Sequence, residues 1–281
     1  MFSTEHVKEL CEEFYELQRQ AALNNKLSAD MSNFFDFIVP DGMKTVIAVA
    51  SPVPIVEVVF HVGQNKIETQ VPPTYAEYGK LQYKIAEQIS VINQLGSRVC
   101  WANRLPEKMC AAHSGLAAYG RNNLCYVEDI GSFALLSAYY TDASCEYDYW
   151  QPCRRMALCD YCKKCVKACP TGAIRADRRI IDAGLCITRH NESAEKTFPE
   201  FILPQHHNSI VGCLHCQIAC PLNSEHRSRT VKGVEFNEAE TELLISNGEY
   251  ENLPDVLKNK INAIGITKYY KMIPKNLKAL S

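Results

Sequence analysis

The stretch CDYCKKCVKACP, residues 159–170, decides how this chain is interpreted. Its four cysteines are separated by two, two and three residues, and a proline follows the last of them. This spacing is typical of the bacterial run that ligates iron–sulfur clusters, in which three cysteines hold one cluster and the fourth reaches another. A second group of cysteines is therefore expected elsewhere in the chain.

That second group lies about fifty residues further on, at Cys213, Cys216 and Cys220, and again a proline follows. It supplies only three thiols. Cys186, in the segment GLCIT between the two groups, supplies the eighth cysteine. Two [4Fe–4S] clusters need about eight thiolates, so the count predicts two such clusters.

In two-cluster ferredoxins, the last cysteine of each group ligates the cluster that the other group holds, and this rule assigns each cysteine to a cluster. One cluster is predicted to use Cys159, Cys162, Cys165 and Cys220, and the other Cys169, Cys186, Cys213 and Cys216. The segment PTGAI after Cys169 is predicted to form a turn followed by a strand.

Zinc and disulfides are the alternatives for so many cysteines. Four-cysteine zinc sites usually take pairs spaced C-x2-C, and the two C-x3-C-P endings do not divide into such pairs. Disulfides are rare in a reducing compartment. The other cysteines are predicted to be small core residues: Cys11, Cys100, Cys110, Cys125, Cys145 and Cys153.

Composition limits the class of protein. The chain has 281 residues, of which 47% are hydrophobic, and 30 basic against 32 acidic side chains give a net charge of −2. This balance predicts that nucleic acid is an unlikely partner. No apolar run approaches the roughly 18 residues of a membrane helix, and the first residues show no signal sequence. These features predict a cytoplasmic protein.

Charge is uneven around the first cysteine run. Residues 150–190 contain nine basic side chains and three acidic ones. A positive face beside a cluster can steer an acidic electron donor such as a ferredoxin or flavodoxin. A solvated surface that offsets the anionic clusters explains the same pattern, and both interpretations stay open.

Hydrophobic patterning predicts an α/β domain in residues 1–150. Residues 151–230 form the predicted double-cluster domain, and residues 231–281 a helical tail that packs on the α/β domain. Strands are predicted at 45–50, 55–62, 98–102, 124–127 and 133–140, and helices at 4–24, 75–95 and 105–120.

The segment HSGLAAYGRNNLCYVEDIGSFALLSAYYTD, residues 113–142, resembles a motif of epoxyqueuosine reductases and reductive dehalogenases. The segments CDYCKKCVKACPTGAI, DAGLCIT and VGCLHCQIACPLN resemble the cysteine pattern of epoxyqueuosine reductases, including the lone cysteine between the halves. The resemblance covers about residues 40–281, and the chain is identified on these motifs as a short, divergent member of that family.

The resemblance implies a nitroreductase-like α/β domain that holds base-off cobalamin, fused to a bacterial-ferredoxin-like domain whose clusters pass single electrons to cobalt. The residues that match the cofactor-binding segment are Ser114, Gly120, Arg121, Asn122, Gly131 and Ser132. Gly131 and Ser132 would let the backbone approach a large ring; an ordinary turn before a strand is the alternative.

Candidate acids lie near this segment. The position of the family's catalytic aspartate falls near Trp101, whereas Glu107 matches a family glutamate. Glu107, Tyr139 and Tyr140 are the candidate catalytic residues, and a structural role is the alternative for each.

Three functions compete on this sequence. The first is a cobalamin-dependent iron–sulfur reductase of a small-molecule substrate. The second is an electron-transfer or cofactor-handling protein that reductively activates cobalamin or a corrinoid partner protein. The third is a two-cluster reductase with flavin, or with no second cofactor, in the α/β domain.

Overall fold

The computed structural model describes residues 1–25, 35–76, 80–92, 96–226, 229–246 and 248–281. The chain divides into two compact units that alternate along the sequence. The first unit comprises residues 1–52, 79–163 and 175–182, and the second comprises residues 53–78, 164–174 and 183–281.

A four-stranded sheet forms the centre of the first unit, with strand order β1-β2-β8-β5. All neighbouring strands in it are antiparallel. The strands are β1 (Phe2–Ser3), β2 (Thr45–Pro52), β5 (Val99–Trp101) and β8 (Ala134–Thr141). The predicted strands at 45–50, 98–102 and 133–140 are confirmed.

Over its described residues, the first unit has the α-helices α1 (Val7–Asn25), α3 (Lys80–Ile92) and α4 (Glu107–His113). Apolar residues of α1 and α4 pack with Val46, Ala138 and Tyr140 of the sheet. Successive strand residues face opposite sides, so Tyr139 lies on the other face, where its hydroxyl donates to the Gln82 carbonyl of α3 at 3.0 Å. The predicted α/β organisation of this part of the chain is confirmed.

A small hairpin, β6 (Ala117–Tyr119) with β7 (Cys125–Val127), completes the first unit. The predicted helix at 105–120 is therefore wrong in its second half. Ser114 caps α4, and Gly115 has a φ of +78°, which turns the chain out of the helix. A Cβ on Gly115 would lie 2.3 Å from the end of the Gln151 side chain, which is flexible and can move aside, so the positive φ is the main reason for glycine at this position.

The second unit contains a three-stranded sheet of order β4-β3-β9, where β3 is Ile55–Val62, β4 is Asn65–Val71 and β9 is Thr230–Phe236. Strand β3 pairs antiparallel with β4 and parallel with β9. Phe60 and Phe236 stack with ring centroids 4.7 Å apart. Strand β3 was predicted, but β4 and β9 were not.

Helices pack against this sheet, and most of the short ones contain or flank the predicted ligand cysteines of the second unit. The C-terminal helices are α8 (Glu238–Ile245), α9 (Asp255–Ala263) and α10 (Ile273–Leu280), and the shorter ones are α2 (Pro73–Ala76), α5 (Lys164–Ala168), α6 (Ile187–Asn191) and α7 (His215–Ile218). Leu244, Leu257 and Leu277 of the C-terminal helices share one core with Val58 and Phe60. The predicted helical tail, residues 231–281, is helical after residue 236, whereas residues 231–236 belong to β9.

Two local predictions need correction. The segment after Cys169 forms a turn around Gly172, whose φ is +70°, and no strand is assigned at residues 170–174. The predicted helix at 75–95 is represented by α2 and α3, and its residues 77–79 and 93–95 lie outside the described part of the chain.

The two units do not follow the predicted boundaries at residues 150 and 230, because each unit takes segments from both sides of a boundary. The division into three consecutive domains, and the nitroreductase-like and ferredoxin-like assignments, stay predictions. Over the described ranges, no helix has both the length and the apolar character needed to cross a membrane.

Candidate iron–sulfur centres

The eight predicted ligand cysteines all fall within the described residues, and each is a free thiol. Cys159 and Cys162 belong to the first unit, and the other six belong to the second. The predicted ligand set of Cys159, Cys162, Cys165 and Cys220 therefore stays a prediction, while all four cysteines of the other set lie within the second unit.

Three sulfurs of the second unit influence one another. Burial raises the pKa of Cys213 to about 12, and the neighbouring thiols of Cys186 and Cys169 add to the increase. The backbone N–H of His215 donates to the Cys213 sulfur and acts in the opposite direction. Without a metal, the Cys213 thiol is therefore neutral at physiological pH; a coordinated iron would deprotonate it outright.

Cys186 lies at the start of α6, where backbone N–H groups point outward from the helix. Burial raises the pKa of Cys186, and N–H groups of Thr188 and Arg189 that donate to its sulfur oppose this effect. Such N–H···S bonds favour the anionic thiolate and help to set the potential of a bound cluster.

Buried amides hold the loop that carries Cys213. The Asn191 side chain donates to the Gly212 carbonyl at 2.7 Å. The Asn276 side chain donates to the carbonyls of Asn191 at 2.9 Å and Ile210 at 2.8 Å. Helices α6 and α10 thereby fix the loop that precedes Cys213.

Tyr75 and Glu192 form a buried pair near Cys186. The Tyr75 hydroxyl donates to the Glu192 carboxylate. Burial raises the pKa of Glu192, and that of Tyr75 is raised by burial and by the charges of Glu192 and Cys186. Gly212, with a φ of +67°, lies so close that a Cβ there would be 2.6 Å from the Tyr75 hydroxyl. Sequence reasoning missed this pair, whose members are 117 positions apart.

Replacing Gly212 with alanine tests this packing. Gly172 provides a matched control, because its φ is also positive but a Cβ there would meet nothing within 4 Å. We expect Gly172→Ala to cost about 1–2 kcal/mol from backbone strain and Gly212→Ala to cost a further 1–3 kcal/mol, roughly, from overpacking. Thermal unfolding of the cluster-loaded chain checks this, and equal melting temperatures for the two variants would contradict it.

In the first unit, Cys159 is held by Arg121. The backbone N–H of Arg121 donates to the Cys159 sulfur at 3.4 Å. The guanidinium donates to the Cys159 carbonyl from Nε at 3.2 Å and from Nη2 at 2.9 Å. Its Nη1 donates to the carbonyls of Ala176 at 3.0 Å and Arg178 at 3.2 Å.

Arg121 is only 6% exposed. Among the described residues, the hydrogen-bond acceptors of its guanidinium are backbone carbonyls, not carboxylates. A buried cation without an anionic partner is costly, and an anionic cluster on Cys159 would compensate it.

Several of the predicted ligand cysteines accept hydrogen bonds from the backbone of another residue. Backbone N–H groups donate to the sulfurs of Cys159, Cys186 and Cys213. Cys125 instead donates its own proton to the Lys108 carbonyl, at 3.6 Å, and burial raises its pKa to about 12. Cys110 is buried in the α1–α4 core. The donor set and its N–H bonds fit anionic iron–sulfur clusters.

The predicted cofactor-binding side chains are engaged within the first unit. The Ser114 hydroxyl donates to the Ala111 carbonyl at 3.1 Å, and Asn122 donates to the Tyr126 hydroxyl at 3.0 Å. A Cβ on Gly120 would meet the Tyr126 ring at 2.5 Å, so packing explains this glycine. These residues therefore have partners within the first unit, and their role toward a cofactor stays a prediction.

Gly131 and Ser132 lie at the turn between β7 and β8. Gly131 has a φ of +70°, and its backbone exchanges hydrogen bonds with Val127 at 2.8 and 3.0 Å. Ser132 is 5% exposed. These contacts account for the turn, and the role of both residues toward a cofactor stays a prediction.

The structure brings two of the three candidate acids together. Burial raises the pKa of Glu107 to about 7, and the Trp101 indole N–H, which donates to this carboxylate at 3.3 Å, opposes the shift. Trp101 pairs with Tyr139 across β5 and β8, on the same face. Tyr140 points to the opposite face, where its hydroxyl has no hydrogen-bond partner among the described residues. Their catalytic roles stay predictions.

Residues 158–223 match the family of 4Fe-4S double cluster binding domains. Among curated proteins, the chain is 37% identical over 123 residues to the epoxyqueuosine reductase of Synechococcus sp. strain RCC307, covering 43% of this chain and 36% of that protein. It is 34% identical over 147 residues to the enzyme of Burkholderia pseudomallei strain K96243, covering 50% of this chain and 36% of that protein. The matched region thus spans about a third of each relative.

Solved structures extend the likeness to the fold. The epoxyqueuosine reductase of Streptococcus thermophilus superposes with a TM-score of 0.68 at 16% identity, covering 96% of this chain and 74% of that one. An epoxyqueuosine reductase with an epoxyqueuosine-modified tRNA-Tyr stem loop superposes with a TM-score of 0.55 at 18% identity, covering 98% of this chain and 81% of that one.

The second structure corrects one expectation. Near-neutral net charge predicted that nucleic acid is an unlikely partner, but a protein of similar fold is found with a tRNA stem loop. Net charge reports the average over the whole surface and cannot exclude a local RNA site. The resemblance read from the motifs is confirmed: this chain is a relative of the epoxyqueuosine reductases that carries a 4Fe-4S double cluster binding domain.

Proposed function

We propose that the chain is an iron–sulfur reductase with two [4Fe–4S] clusters. The first cluster is held by Cys159, Cys162, Cys165 and Cys220, and the second by Cys169, Cys186, Cys213 and Cys216. The observation that carries the proposal is the set of backbone N–H groups that donate to the sulfurs of Cys159, Cys186 and Cys213. Thiolate ligands of iron–sulfur clusters commonly accept such N–H···S bonds, which stabilise their negative charge.

Cobalamin is the proposed electron acceptor, as the resemblance to epoxyqueuosine reductases implies. When bound, it would supply a cobalt centre that takes up single electrons from the clusters. Ser114, Arg121 and Asn122 donate hydrogen bonds to groups of the first unit, and their role toward cobalamin stays a prediction. The cobalamin proposal therefore rests on the resemblance alone.

The relatives' name points to an epoxide on a modified tRNA nucleoside as the first substrate to test. Removal of an epoxide oxygen consumes two electrons and two protons and releases water. Two clusters that each change by one electron store the electron pair. The protons must come from the chain or from solvent.

An acidic protein such as a ferredoxin or flavodoxin is the proposed electron donor. Leu158 and Tyr161, on either side of Cys159, are 41% and 89% exposed. The nearby acidic groups are neutralised, since Asp160 pairs with Arg179, and Asp182 with Arg178. A positive, partly apolar surface beside a cluster suits such a partner.

Glu107 is proposed to deliver a proton. Its pKa of about 7 keeps part of the carboxyl group protonated near neutral pH, which suits a general acid. Turnover is expected to fall as pH rises through about 7, and Glu107→Gln is expected to lower it about 10²–10⁴-fold and to abolish that pH dependence. Glu87→Gln is the control, because the Glu87 side chain is exposed and belongs to no candidate catalytic or cofactor-binding set. A Glu107→Gln variant with the wild-type rate and pH profile would contradict the role.

The proposed function is tested with anaerobically purified chain that contains its clusters. Cob(II)alamin is titrated and followed by EPR and visible absorption, and the reduced protein is then given an epoxyqueuosine-modified stem loop. Tight base-off binding with loss of the epoxide supports the reductase. Cobalamin binding without turnover would favour a protein that activates cobalamin for a partner. Turnover without cobalamin would overturn the proposed acceptor.

A further inference from the structure

Three metal-ligating side chains from separate segments meet in the first unit, and none belongs to the eight cluster cysteines. Glu13 lies on α1, His113 ends α4, and Cys153 lies in the segment that leads to Cys159. One ligand atom from each, a carboxylate oxygen, an imidazole nitrogen and a thiol sulfur, lies within 4.8 Å of the others. Cys153 was predicted to be only a core thiol.

The His113 ring is fixed in one orientation. It is 3% exposed and stacks on Trp150, with ring centroids 4.1 Å apart and an interplanar angle of 11°. Its Nδ1 lies 2.6 Å from the Gln151 carbonyl oxygen. A carbonyl can only accept, so Nδ1 carries the proton, and the lone pair of the neutral ring is on Nε2. Metal-binding histidines are commonly oriented in this way by a backbone carbonyl.

The Nε2 atom points into the group. It lies 2.9 Å from Oε2 of Glu13, yet the contact lacks hydrogen-bond geometry, and Nε2 has no hydrogen-bond partner among the described residues. A buried lone pair and a carboxylate oxygen repel each other unless a proton or a metal cation lies between them. An imidazolium–carboxylate ion pair would satisfy two of the three groups and leaves the sulfur of Cys153 unexplained.

We propose that Glu13, His113 and Cys153 bind one Zn²⁺ ion through Oε2, Nε2 and Sγ. Sulfur, nitrogen and carboxylate oxygen together form a donor set that zinc accepts, at bond lengths of about 2.0–2.3 Å. Three protein ligands leave the fourth tetrahedral position for water. The ion would join α1, the end of α4 and the segment that begins six residues before Cys159, and it is separate from both proposed clusters.

The test measures zinc in the full chain with its iron–sulfur clusters in place. Protein equilibrated with micromolar free Zn²⁺ is analysed for zinc and iron by mass spectrometry and for zinc ligands by X-ray absorption. Wild type is expected to hold one zinc per chain, with one sulfur ligand and the rest nitrogen or oxygen. Glu13→Gln and Cys153→Ser are each expected to weaken zinc binding at least about tenfold. Glu12→Gln and Cys11→Ser on the same helix are the matched controls and are expected to bind as wild type does.

Two results would overturn the proposal. One is wild-type protein with no zinc above the level of the Glu13→Gln, Cys153→Ser double variant. The other is zinc bound with four sulfur ligands, which would place it at cluster cysteines. The iron content of each variant shows that the protein has folded, and Glu13 belongs to no cluster ligand set, so failure of the cluster assignment and failure of the zinc site are distinguishable.

Discussion

Replacing Cys186 and Cys213 together with alanine is expected to lower the iron content from about eight to about four atoms per chain. Cys186 lies close enough to Cys213 to contribute to the raised pKa of the Cys213 thiol, and both are assigned to the second cluster. A cubane that loses two of its four thiolates is not expected to assemble. The first cluster takes none of its ligands from this pair, so its four irons should remain.

The matched control removes two cysteines outside both ligand sets. Cys11→Ser combined with Cys125→Ser is expected to keep about eight irons. Neither cysteine belongs to a predicted ligand set, and the Cys125 thiol donates its proton to the Lys108 carbonyl. Iron and acid-labile sulfide are measured after anaerobic purification. Equal iron contents in the two double variants would contradict the assignment.

Arg121→Gln is expected to make the cluster on Cys159 harder to reduce. The substitution removes the buried positive charge of Arg121, whose backbone N–H and guanidinium both donate hydrogen bonds to Cys159. At an effective dielectric constant of about 20, a unit charge roughly 7 Å away is worth about 2 kcal/mol. For one electron this corresponds to a decrease in reduction potential on the order of 100 mV.

Arg121→Lys separates charge from hydrogen bonding. Lysine retains the positive charge but cannot donate to the carbonyls of Cys159, Ala176 and Arg178 at once. The reduction potential of the cluster in the Arg121→Lys protein should stay near the wild-type value. The melting temperature of this variant should fall, as that of the Arg121→Gln variant does. Redox titration followed by EPR gives the potentials. A glutamine variant with the wild-type potential would show that Arg121 acts on structure only.

Local patterns predicted much of the fold. Strands β2, β3 and β8 are apolar and rich in β-branched or aromatic residues, which is a strong strand signal. Strand β4, NKIETQV, was missed because only its alternate residues face the core. Strand β9 was assigned to a helical tail, because its parallel pairing with β3 joins residues some 175 positions apart and leaves no local trace.

The candidate site was likewise predicted only in part from the sequence. Cysteine spacing predicted the double-cluster segment, since ligand spacing is a local requirement of the metal. The structural partners of the ligands were not predicted, because they are remote in sequence: Arg121 lies 38 residues from Cys159. The segment 113–142 indicated a cofactor site, whereas the structure shows that several of its polar side chains hold the protein itself together.

The most direct test of this account is the iron and sulfide content of the anaerobically purified full chain, with an EPR spectrum of the reduced protein. Two clusters predict about eight irons and eight sulfides per chain and a spectrum of two interacting [4Fe–4S]⁺ centres. A chain that instead holds about two zinc ions in four-sulfur sites, with little iron and no sulfide, would contradict the central claim.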